Sequence, residues 1–531
     1  MVARGHNLGD ALEADARNLL GPALAGGGGA AISVSQQGRI RLSSGFGWAD
    51  TETAQPFTRD TRFRICSVTK QFVATLIALA AQRGLLDWDQ PMADHLPAYR
   101  DDECQPTLRH LASNQSGICD YWCQAMLTGA TADSTFRSED AQRLLKPPLS
   151  FMFPPGSAFA YSNTNFALLG NVAERVYGQP LSEILRDEIF EPLKMNRSLL
   201  APVTSAKLEG LATGYEYAPD GRRVPCTVDI EWFGDAGIVS TLADLERWNQ
   251  VFEEPEHPLN AAVRSLTEPL RYTDGRVAPY RLGIRVGQLD EDTTETHHGA
   301  LRGWRMVRLR LPDQALSVLV LFNHMSDPGP IAENLARLAL GRSVRSPEQT
   351  VMGDSKRWFS SNQKLLVGIG EQHNRREVSC GGRTDRLFAT DDALVFESPS
   401  RDVELSLTKP PSLLYRADNH RLSLEPVVET PADRYDYLGS YHSPKLDTTV
   451  LVEFDRTIRF LGPLGSTPAL KVIPVSEDLW LLPCYRALDH HPPGEFTLKF
   501  ERTGQRVTSL SISCWLARSE VFVRRSGDAD D

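Results

Sequence analysis

The chain has 531 residues. At about 100 to 200 residues per domain it is too long for one ordinary core, and about three domains are predicted. Hydrophobic residues make up 41% and charged residues 24%, a composition typical of globular proteins and not of a disordered chain. The formal net charge of -11 disfavours a nucleic-acid partner, because proteins that bind nucleic acid concentrate Lys and Arg on one face.

Targeting and metal signals are weak in this sequence. The first 29 residues carry acids at Asp10, Glu13 and Asp15 and lack the apolar core of a secretory signal. No stretch reaches the roughly 18 uninterrupted apolar residues that a membrane span needs. We therefore expect a cytoplasmic protein without a membrane partner. The eight cysteines are widely spread, which predicts reduced thiols, and neither a metal nor a cofactor is expected.

Residues 12 to about 340 alternate strand-like and helical runs, which predicts one mixed α/β domain over 1–340. A hairpin near the start and a strand group at 282–323 are expected to form one antiparallel sheet. The helices between them would pack on its faces.

A helix is predicted from about Ser67 to Arg83, because Phe72, Leu76 and later apolar residues recur at helical spacing. Lys70 follows Ser67 by three residues and therefore lies on the same helix face. The helix start adds partial positive charge and unpaired N–H groups beside the serine hydroxyl, which favour an oxyanion. Taken alone the motif is weak, since a serine at a helix start is usually an N-cap.

A second segment, PPGSAFAYSNTNFALLG at 154–170, places Tyr161 and Asn163 between a Pro-Gly turn and an apolar helix. By itself this pattern is more typical of a buried tyrosine followed by a turn asparagine. A third segment, THHGALRGWR at 296–305, places His297 and Gly299 before a strand-rich run. A histidine pair of this kind is usually structural when it stands alone.

The segment of about 338–356 loses periodicity and is interpreted as a linker. After it, short strand-like runs recur between turn residues, which predicts antiparallel sandwiches or barrels. The Pro- and acid-rich stretch VVETPADRYDY divides this region. We expect two antiparallel β-barrel domains, at 341–428 and 429–531.

The three motifs occur in the order Ser-x-x-Lys, Tyr-x-Asn, His-x-Gly. In this order, and with their flanking segments, they resemble those of the penicillin-recognising serine hydrolases. That family includes class C β-lactamases, DD-carboxypeptidases, esterases and D-aminopeptidases. The resemblance covers residues 12 to about 340 and implies a β-lactamase-like fold and an acyl-enzyme on Ser67. The supporting flanks are TLRHLASNQSGICDY, IFEPLKMNRS, FGDAGIVSTLADLERW and YRLGI.

The resemblance also implies roles for the motif residues. A serine hydroxyl needs an adjacent base, and Lys70 and Tyr161 are the candidates. Which of the two acts in acylation is open for Ser-x-x-Lys enzymes. Lys70 would be the proton partner of Ser67, and Tyr161 would relay protons to the leaving group. A tyrosine beside cations is expected to ionise more easily. Asn163 would position the substrate amide and Lys70.

His297 stands where many relatives carry the lysine of a Lys-Thr-Gly motif. An imidazole is mostly neutral at pH 7, so this substitution argues for a substrate without a carboxylate close to the scissile bond. The backbone N–H groups of Ser67 and Ala300 would form the oxyanion hole, since Gly299 lets the edge strand come close.

The two β modules narrow the resemblance to the D-stereospecific aminopeptidases, in which a loop of the last domain reaches the active site. Here that loop would be Tyr485 to Gly494, with Asp489 as the partner of the substrate ammonium. Asp235 is a second candidate for that role. Arg305 would neutralise Asp235 or orient the cleft.

The predicted function is a serine aminopeptidase that releases small N-terminal D-residues (D-Ala, Gly, D-Ser) from peptides and amides with a free N-terminal amine. Two alternatives stay open: an esterase acting on small acyl esters, and a covalent peptide- or β-lactam-binding protein. The resemblance also suggests a homodimer, for which the sequence shows no interface.

Overall fold

The computed structural model describes residues 3–218, 220–346, 355–372, 375–392, 394–428, 436–489 and 494–525. Within these ranges no helix is both long and apolar enough to cross a bilayer. The predicted linker falls partly on 347–354, and the predicted boundary between the β domains falls largely on 429–435. Both segments lie outside the described residues, so the two boundaries between the three predicted domains stay predictions.

Helices occur almost entirely in the first 340 residues. They are α1 Ala3–Leu24, α2 Thr69–Gln82, α3 Met92–His95, α4 Leu108–Ala112, α5 Tyr121–Met126, α6 Ser138–Leu144, α7 Asn163–Tyr177, α8 Leu181–Leu185, α9 Leu242–Val251, α10 Asn260–Ser265 and α11 Gly329–Ala339. The strands of the same region are β1 Gly29–Gln36, β2 Arg39–Asp50, β3 Gln55–Pro56, β4 Phe63–Arg64, β5 Leu199–Leu200, β6 Tyr215–Tyr217, β7 Arg223–Pro225, β8 Ile238–Ser240, β9 Leu270–Arg271, β10 Val277–Ala278, β11 Arg285–Leu289, β12 Asp292–Leu301, β13 Trp304–Leu311 and β14 Leu316–Phe322.

A seven-stranded antiparallel sheet in the order β11-β12-β13-β14-β1-β2-β3 joins the two ends of this region. The pairing of β1 with β14 brings Ala30 opposite Phe322 and confirms the predicted union of the N-terminal hairpin with the 282–323 strands. Helices α1 and α11 cover one face, and the larger core with α2 and α7 lies on the other. Strand β12 is next to the sheet edge, beside the start of α2.

The chain then forms a closed antiparallel barrel. Its strands are β15 Ser355–Ser360, β16 Leu365–Gln372, β17 Arg375–Cys380, β18 Arg383–Ala389, β19 Val395–Glu397, β20 Val403–Ser406, β21 Ser412–Tyr415 and β22 His420–Pro426. Closure removes free edges, and the barrel has a core of its own.

The last unit is a ten-stranded antiparallel sheet. Its strands are β23 Gly439–Ser443, β24 Thr448–Glu453, β25 Thr457–Gly462, β26 Gly465–Ser466, β27 Leu470–Lys471, β28 Ile473–Pro474, β29 Leu479–Leu482, β30 Phe496–Thr503, β31 Arg506–Cys514 and β32 Ala517–Arg524. Its end strands β26 and β28 are two residues long and do not pair with each other, so this sheet is a half-barrel. The predicted fold class, an α/β domain followed by antiparallel β units, is confirmed.

The half-barrel shares its core with the first domain. One continuous cluster of buried side chains contains Phe72 and Trp248 from the helices together with Tyr441 and Phe500 from the half-barrel. Main-chain contact is also direct, because the amide of Asp120 donates to the carbonyl of Leu516 over 2.9 Å. The C-terminal half-barrel is therefore packed beside the start of α5, close to the Ser-x-x-Lys motif.

Candidate active site

Ser67 lies in a single 3₁₀ turn, Cys66–Val68, that leads directly into α2. The predicted helix is thus confirmed, but its first turn, Cys66–Val68, is a 3₁₀ turn and not an α-helical one. Cys66 has φ 54°, the left-handed region that non-glycine residues rarely adopt. Strain of this kind persists only where the surroundings fix the backbone, and here it sets the tight turn that carries the serine.

Lys70 is fully buried and donates three hydrogen bonds from Nζ. The acceptors are Asn163 Oδ1 at 2.8 Å, the backbone carbonyl of Asp235 at 2.9 Å and Ser67 Oγ at 3.2 Å. Burial lowers the pKa of Lys70 to about 8, against the opposing carboxylates of Asp235 and Asp120. A substantial fraction of this amine is therefore neutral at mildly alkaline pH.

Asp120 holds Asn163 in the orientation that Lys70 requires. Its Oδ2 accepts from the backbone N of Asn163 at 2.6 Å and from Nδ2 at 3.0 Å, which leaves the amide oxygen facing the lysine. Its Oδ1 accepts from the first amides of α5, at Trp122 and Cys123. Burial raises the pKa of Asp120 to about 6 despite these donors. A hydrogen-bonded chain thus runs from Asp120 through Asn163 and Lys70 to Ser67.

Tyr161 lies beside Ser67 on the cavity wall, and its ring centroid is 4.9 Å from Lys70 Nζ. Burial holds the pKa of Tyr161 above its ordinary value, against the lowering effect of the Ser67 side chain. The expectation of easier ionisation is therefore wrong, because removal from water outweighs the nearby amine. In its neutral form the phenol can both donate and accept a proton at the serine.

His297 is buried and neutral. Its Nδ1 lies 2.8 Å from the carbonyl oxygen of His298, which can only accept, so Nδ1 carries the proton. Its Nε2 therefore accepts from the hydroxyl of Tyr280 at 3.0 Å. Burial, and after it the nearby Lys70, lower the pKa of His297 to about 3. The neutral imidazole anticipated from the sequence is the form present at neutral pH.

Gly299 brings β12 against the turn that carries the serine. A Cβ at this position would lie 2.6 Å from the carbonyl oxygen of Ile65 and 2.7 Å from Met306 Cγ. No side chain fits at those distances. Glycine is therefore required here because β12 approaches the neighbouring backbone so closely. The next residue, Ala300, lines the same cavity as Ser67, and their backbone N–H groups are the expected oxyanion donors.

Asp235 and Arg305 do not line this cavity. The Asp235 carboxylate accepts from the Tyr121 hydroxyl at 2.9 Å and from the amide of Phe233 at 3.0 Å, within the protein interior. Asp235 contacts the Ser-x-x-Lys motif through its backbone carbonyl, which accepts a hydrogen bond from Lys70 Nζ. Arg305 donates to the carbonyls of Leu301 and Trp304 and not to Asp235. These placements favour structural roles for both side chains.

Asp489 lines the cavity from the half-barrel side. It accepts a short hydrogen bond from the backbone N of Arg302, in the turn after β12. Arg302 in turn forms a bidentate pair with Glu216 at 2.7 and 2.8 Å, and Arg486 pairs with the same carboxylate. This cluster of Glu216, Arg302 and Arg486 ties the segment before Asp489 to the first domain. Residues 490–493 of the predicted loop lie outside the described residues.

The cavity that these residues surround has a volume of about 360 Å³, within the range of about 300–1,000 Å³ that small-ligand sites occupy. Ser67, Tyr161, Asn163, His297 and Ala300 all face it. Much of the remaining wall is aromatic, and two of its charged residues, Asp120 and Arg285, were not among the sequence-predicted site residues. The further lining residues that bear on the site are Trp122, Phe159, Trp232, Tyr280, Thr296, Gly381, Leu488, Asp489 and Trp515.

Sequence reasoning missed Asp120 and Arg285 for different reasons. Asp120 stands in the quoted flank TLRHLASNQSGICDY, directly before a short helix, where an N-cap is the ordinary interpretation. Arg285 follows the quoted YRLGI segment, and only the pairing of β11 with β12 brings it to the cavity. Asp120 therefore had a local sequence signal, whereas Arg285 had none.

The fold and the Ser67, Lys70 and Tyr161 arrangement define a serine hydrolase of the β-lactamase class. Residues 16–342 match the model of the Beta-lactamase family, and residues 347–523 match that of D-aminopeptidase, domain B. The D-aminopeptidase of Gluconobacter oxydans (strain 621H) is 33% identical over 519 residues, covering 95% of this chain and 97% of that protein. The chain therefore belongs to the D-aminopeptidase family of β-lactamase-like serine hydrolases.

A second relative supports the family, and one solved structure supports the fold. The D-aminopeptidase of Brucella anthropi is 34% identical over 529 residues, which cover 97% of this chain and 98% of that protein. The crystal structure of D-amino acid amidase from Ochrobactrum anthropi SV3, complexed with L-phenylalanine amide, aligns with a TM-score of 0.51 at 22% identity. That alignment covers 62% of this chain and 99% of the amidase chain and shows a common fold. The predicted family is confirmed.

Proposed function

We propose that this protein is a serine aminopeptidase that releases small N-terminal D-residues from peptides and amides through an acyl-enzyme on Ser67. The observation that carries the proposal is the cavity itself, where the Ser67 hydroxyl with its lysine and the Asp489 carboxylate face one small space. A nucleophile and an ammonium partner so close together suit a substrate cut directly after its first residue.

In acylation, neutral Lys70 accepts the Ser67 proton as Oγ bonds to the substrate carbonyl carbon. The backbone N–H groups of Ser67 and Ala300 stabilise the oxyanion, a contribution worth about 10²–10³ in kcat per donor in such sites. The C–N bond then breaks as Tyr161 gives its proton to the departing amine, and Lys70 passes the serine proton to Tyr161, so both groups return to their neutral forms. Deacylation repeats the sequence with water as the nucleophile.

Asp489 would bind the α-ammonium of the substrate by a charge-assisted hydrogen bond. Asn163 keeps Lys70 in place and has capacity for one more hydrogen bond, to the substrate amide. Preference for D-residues follows from family membership, with the relatives named D-aminopeptidases. A cytoplasmic location and a homodimer remain predictions of the sequence.

The test compares hydrolysis of D-alanine p-nitroanilide, its L-enantiomer and p-nitrophenyl acetate by the purified full-length protein. We expect clear turnover of the D-anilide, at least about tenfold above the L-form, since one misplaced group in a shaped site costs about 1–3 kcal/mol. Ser67→Ala should retain the wild-type melting temperature and lose turnover. Hydrolysis of the ester alone would support the esterase alternative, and a stable acyl-enzyme without turnover would support the binding protein.

A further inference from the structure

A group of buried charges lies outside the active-site cavity, between the seven-stranded sheet and α9. Arg308 of β13 is fully buried, and its Nε donates to Asn249 Oδ1 of α9 over 2.6 Å. Within the described residues, its Nη1 and Nη2 atoms are also buried and have no hydrogen-bond partner. These two nitrogens carry four of the five N–H groups of a guanidinium, so most donors of Arg308 are unsatisfied.

Arg310 is a second cation beside Arg308. It lies two residues further along β13 and therefore on the same face of the strand, with its Cα about 6.8 Å away. The guanidinium carbons of Arg308 and Arg310 lie 4.1 and 4.7 Å from the centroid of the same ring, that of Phe252. Contact with an aromatic ring compensates part of a positive charge but occupies no N–H group with a proper acceptor.

The carboxylates near these arginines do not satisfy them. Glu295, opposite Arg310 on β12, accepts from Arg310 Nη1 in a buried ion pair. Glu253, which follows Phe252, has its oxygens engaged by Ser317 Oγ at 3.1 Å and by a backbone amide at 3.2 Å. One ion pair thus serves two buried guanidinium groups.

Arg308 nevertheless keeps its positive charge at neutral pH. Burial, and after it the neighbouring Arg310, lower the pKa of Arg308 to about 9, while Glu295 and Glu253 raise it. A buried charge that has lost its hydration is costly unless it gains a partner. A small anion beside Arg308 and Arg310 would supply both the missing acceptor and the missing negative charge.

We propose that Arg308 and Arg310 bind one small inorganic monovalent anion, chloride, behind the strand that carries His297. The Nη atoms of Arg308 are shielded from solvent, so the enclosed position suits a single ion and excludes phosphate, carboxylates and other larger anions. Arg308 is directly opposite His297 in the pairing of β12 with β13. The ion would therefore stabilise the part of the sheet on which the active site is built. This inference goes beyond the proposed function and does not depend on it.

The direct test is crystallographic. Crystals of the full-length protein grown without chloride and soaked in sodium bromide should give an anomalous scattering peak within hydrogen-bonding distance of Arg308 Nη1 or Nη2. Bromide is the probe because it has the charge of chloride and a similar radius. The same soak of Arg308→Met crystals should give no peak at this position, since methionine keeps an unbranched apolar stem and removes the N–H donors.

The solution test measures the melting temperature of the full-length protein after exhaustive dialysis against chloride-free buffer. Chloride then replaces gluconate at constant ionic strength. An ion that binds the folded state and not the unfolded chain stabilises it by mass action. The wild-type protein should gain about 2–5 °C, and the gain should level off at high chloride concentration. Arg308→Met should show no saturable gain.

Arg222→Met is the matched control, because it removes an arginine charge from the surface. Arg222 pairs with Asp220, and 78% of its side chain is exposed. This variant should retain the wild-type dependence on chloride.

Absence of the bromide peak from wild-type crystals would overturn the inference. An equal chloride dependence of the wild-type protein and a folded Arg308→Met variant would overturn it too. A bromide peak without a saturable rise in melting temperature would mean binding at crystal concentration only, which also contradicts a resident ion. If Arg308→Met does not fold, the two wild-type measurements decide.

Discussion

At the scale of single residues, the arrangement around Lys70 favours the amine as the base in acylation. Two of its three hydrogen-bond partners, an amide oxygen and a backbone carbonyl, can only accept. In neutral lysine the two remaining N–H groups satisfy these acceptors, and the lone pair then faces Ser67 Oγ. Tyr161 is a poorer base, because burial keeps the pKa of its phenol above the ordinary value.

The first prediction concerns the pH dependence of this serine. Lys70 must be neutral to accept a proton, and its pKa is about 8, so Ser67 reactivity should rise with pH and reach half its maximum near pH 8. The readout is the labelling rate of Ser67 with a fluorophosphonate. Such a probe lacks an amine, whereas the substrate amine itself titrates at about 7.7–8.0. A midpoint above pH 10 would instead assign the base to Tyr161.

At the scale of elements, the site depends on how closely one strand approaches one turn. Strand β12 supplies His297, Gly299 and Ala300, and the 3₁₀ turn before α2 supplies Ser67. The two elements are more than 200 residues apart, and the missing side chain of Gly299 sets their separation. This contact brings the two expected oxyanion donors, the N–H groups of Ser67 and Ala300, to the same cavity.

Gly299→Ala should therefore reduce kcat for D-alanine p-nitroanilide by about a hundredfold, with a smaller change in KM, because a displaced oxyanion donor weakens mainly the transition state. Gly287→Ala in neighbouring β11 is the control, since its Cβ would meet only Thr294 Oγ1, at 3.2 Å. Nearly wild-type kcat in a folded Gly299→Ala protein would show that the strand can move aside without cost to catalysis.

At the scale of the whole molecule, the half-barrel is a part of the active site and not an appendage. It contributes Asp489 and Trp515 to the cavity wall, and its core is continuous with that of the first domain. The buried pair of Glu216 with Arg302, together with the more exposed pair of Glu216 with Arg486, fixes the segment that carries Asp489. The wall of the cavity that contains Ser67 is thus formed in part by residues more than 400 positions away in the chain.

Glu216→Gln should lower stability by about 3–5 kcal/mol, because it leaves the buried Arg302 without its counter-charge. It should also raise KM for substrates with a free amine more than it lowers kcat, since the Asp489 segment loses its anchor. Thermal unfolding and steady-state kinetics measure the two effects. Glu13→Gln, which removes the exposed pair with Arg17, should change neither. An unchanged KM for Glu216→Gln would show that this cluster does not contribute to amine binding.

Local sequence was sufficient for the family and the fold class, and it was sufficient to propose the nucleophile. The spacing of Ser67 and Lys70 fixes their geometry within one helical turn, and the order of three motifs is specific even though each is weak. The alternation of apolar residues likewise separates the helical first domain from the β units. These features depend on contacts between residues near in sequence, which periodicity and spacing report directly.

Only the tertiary structure decided which charges face the cavity. Asp235 looked like a candidate ligand but is turned into the core, whereas Arg285 carried no local signal and lines the wall. The pKa of Tyr161 is raised and not lowered as expected, because the phenol is buried. That burial depends on elements far apart in the chain. Sequence thus determined the candidate nucleophile and its helix, while packing determined the electrostatic surroundings, because desolvation and strand pairing are properties of the assembled fold.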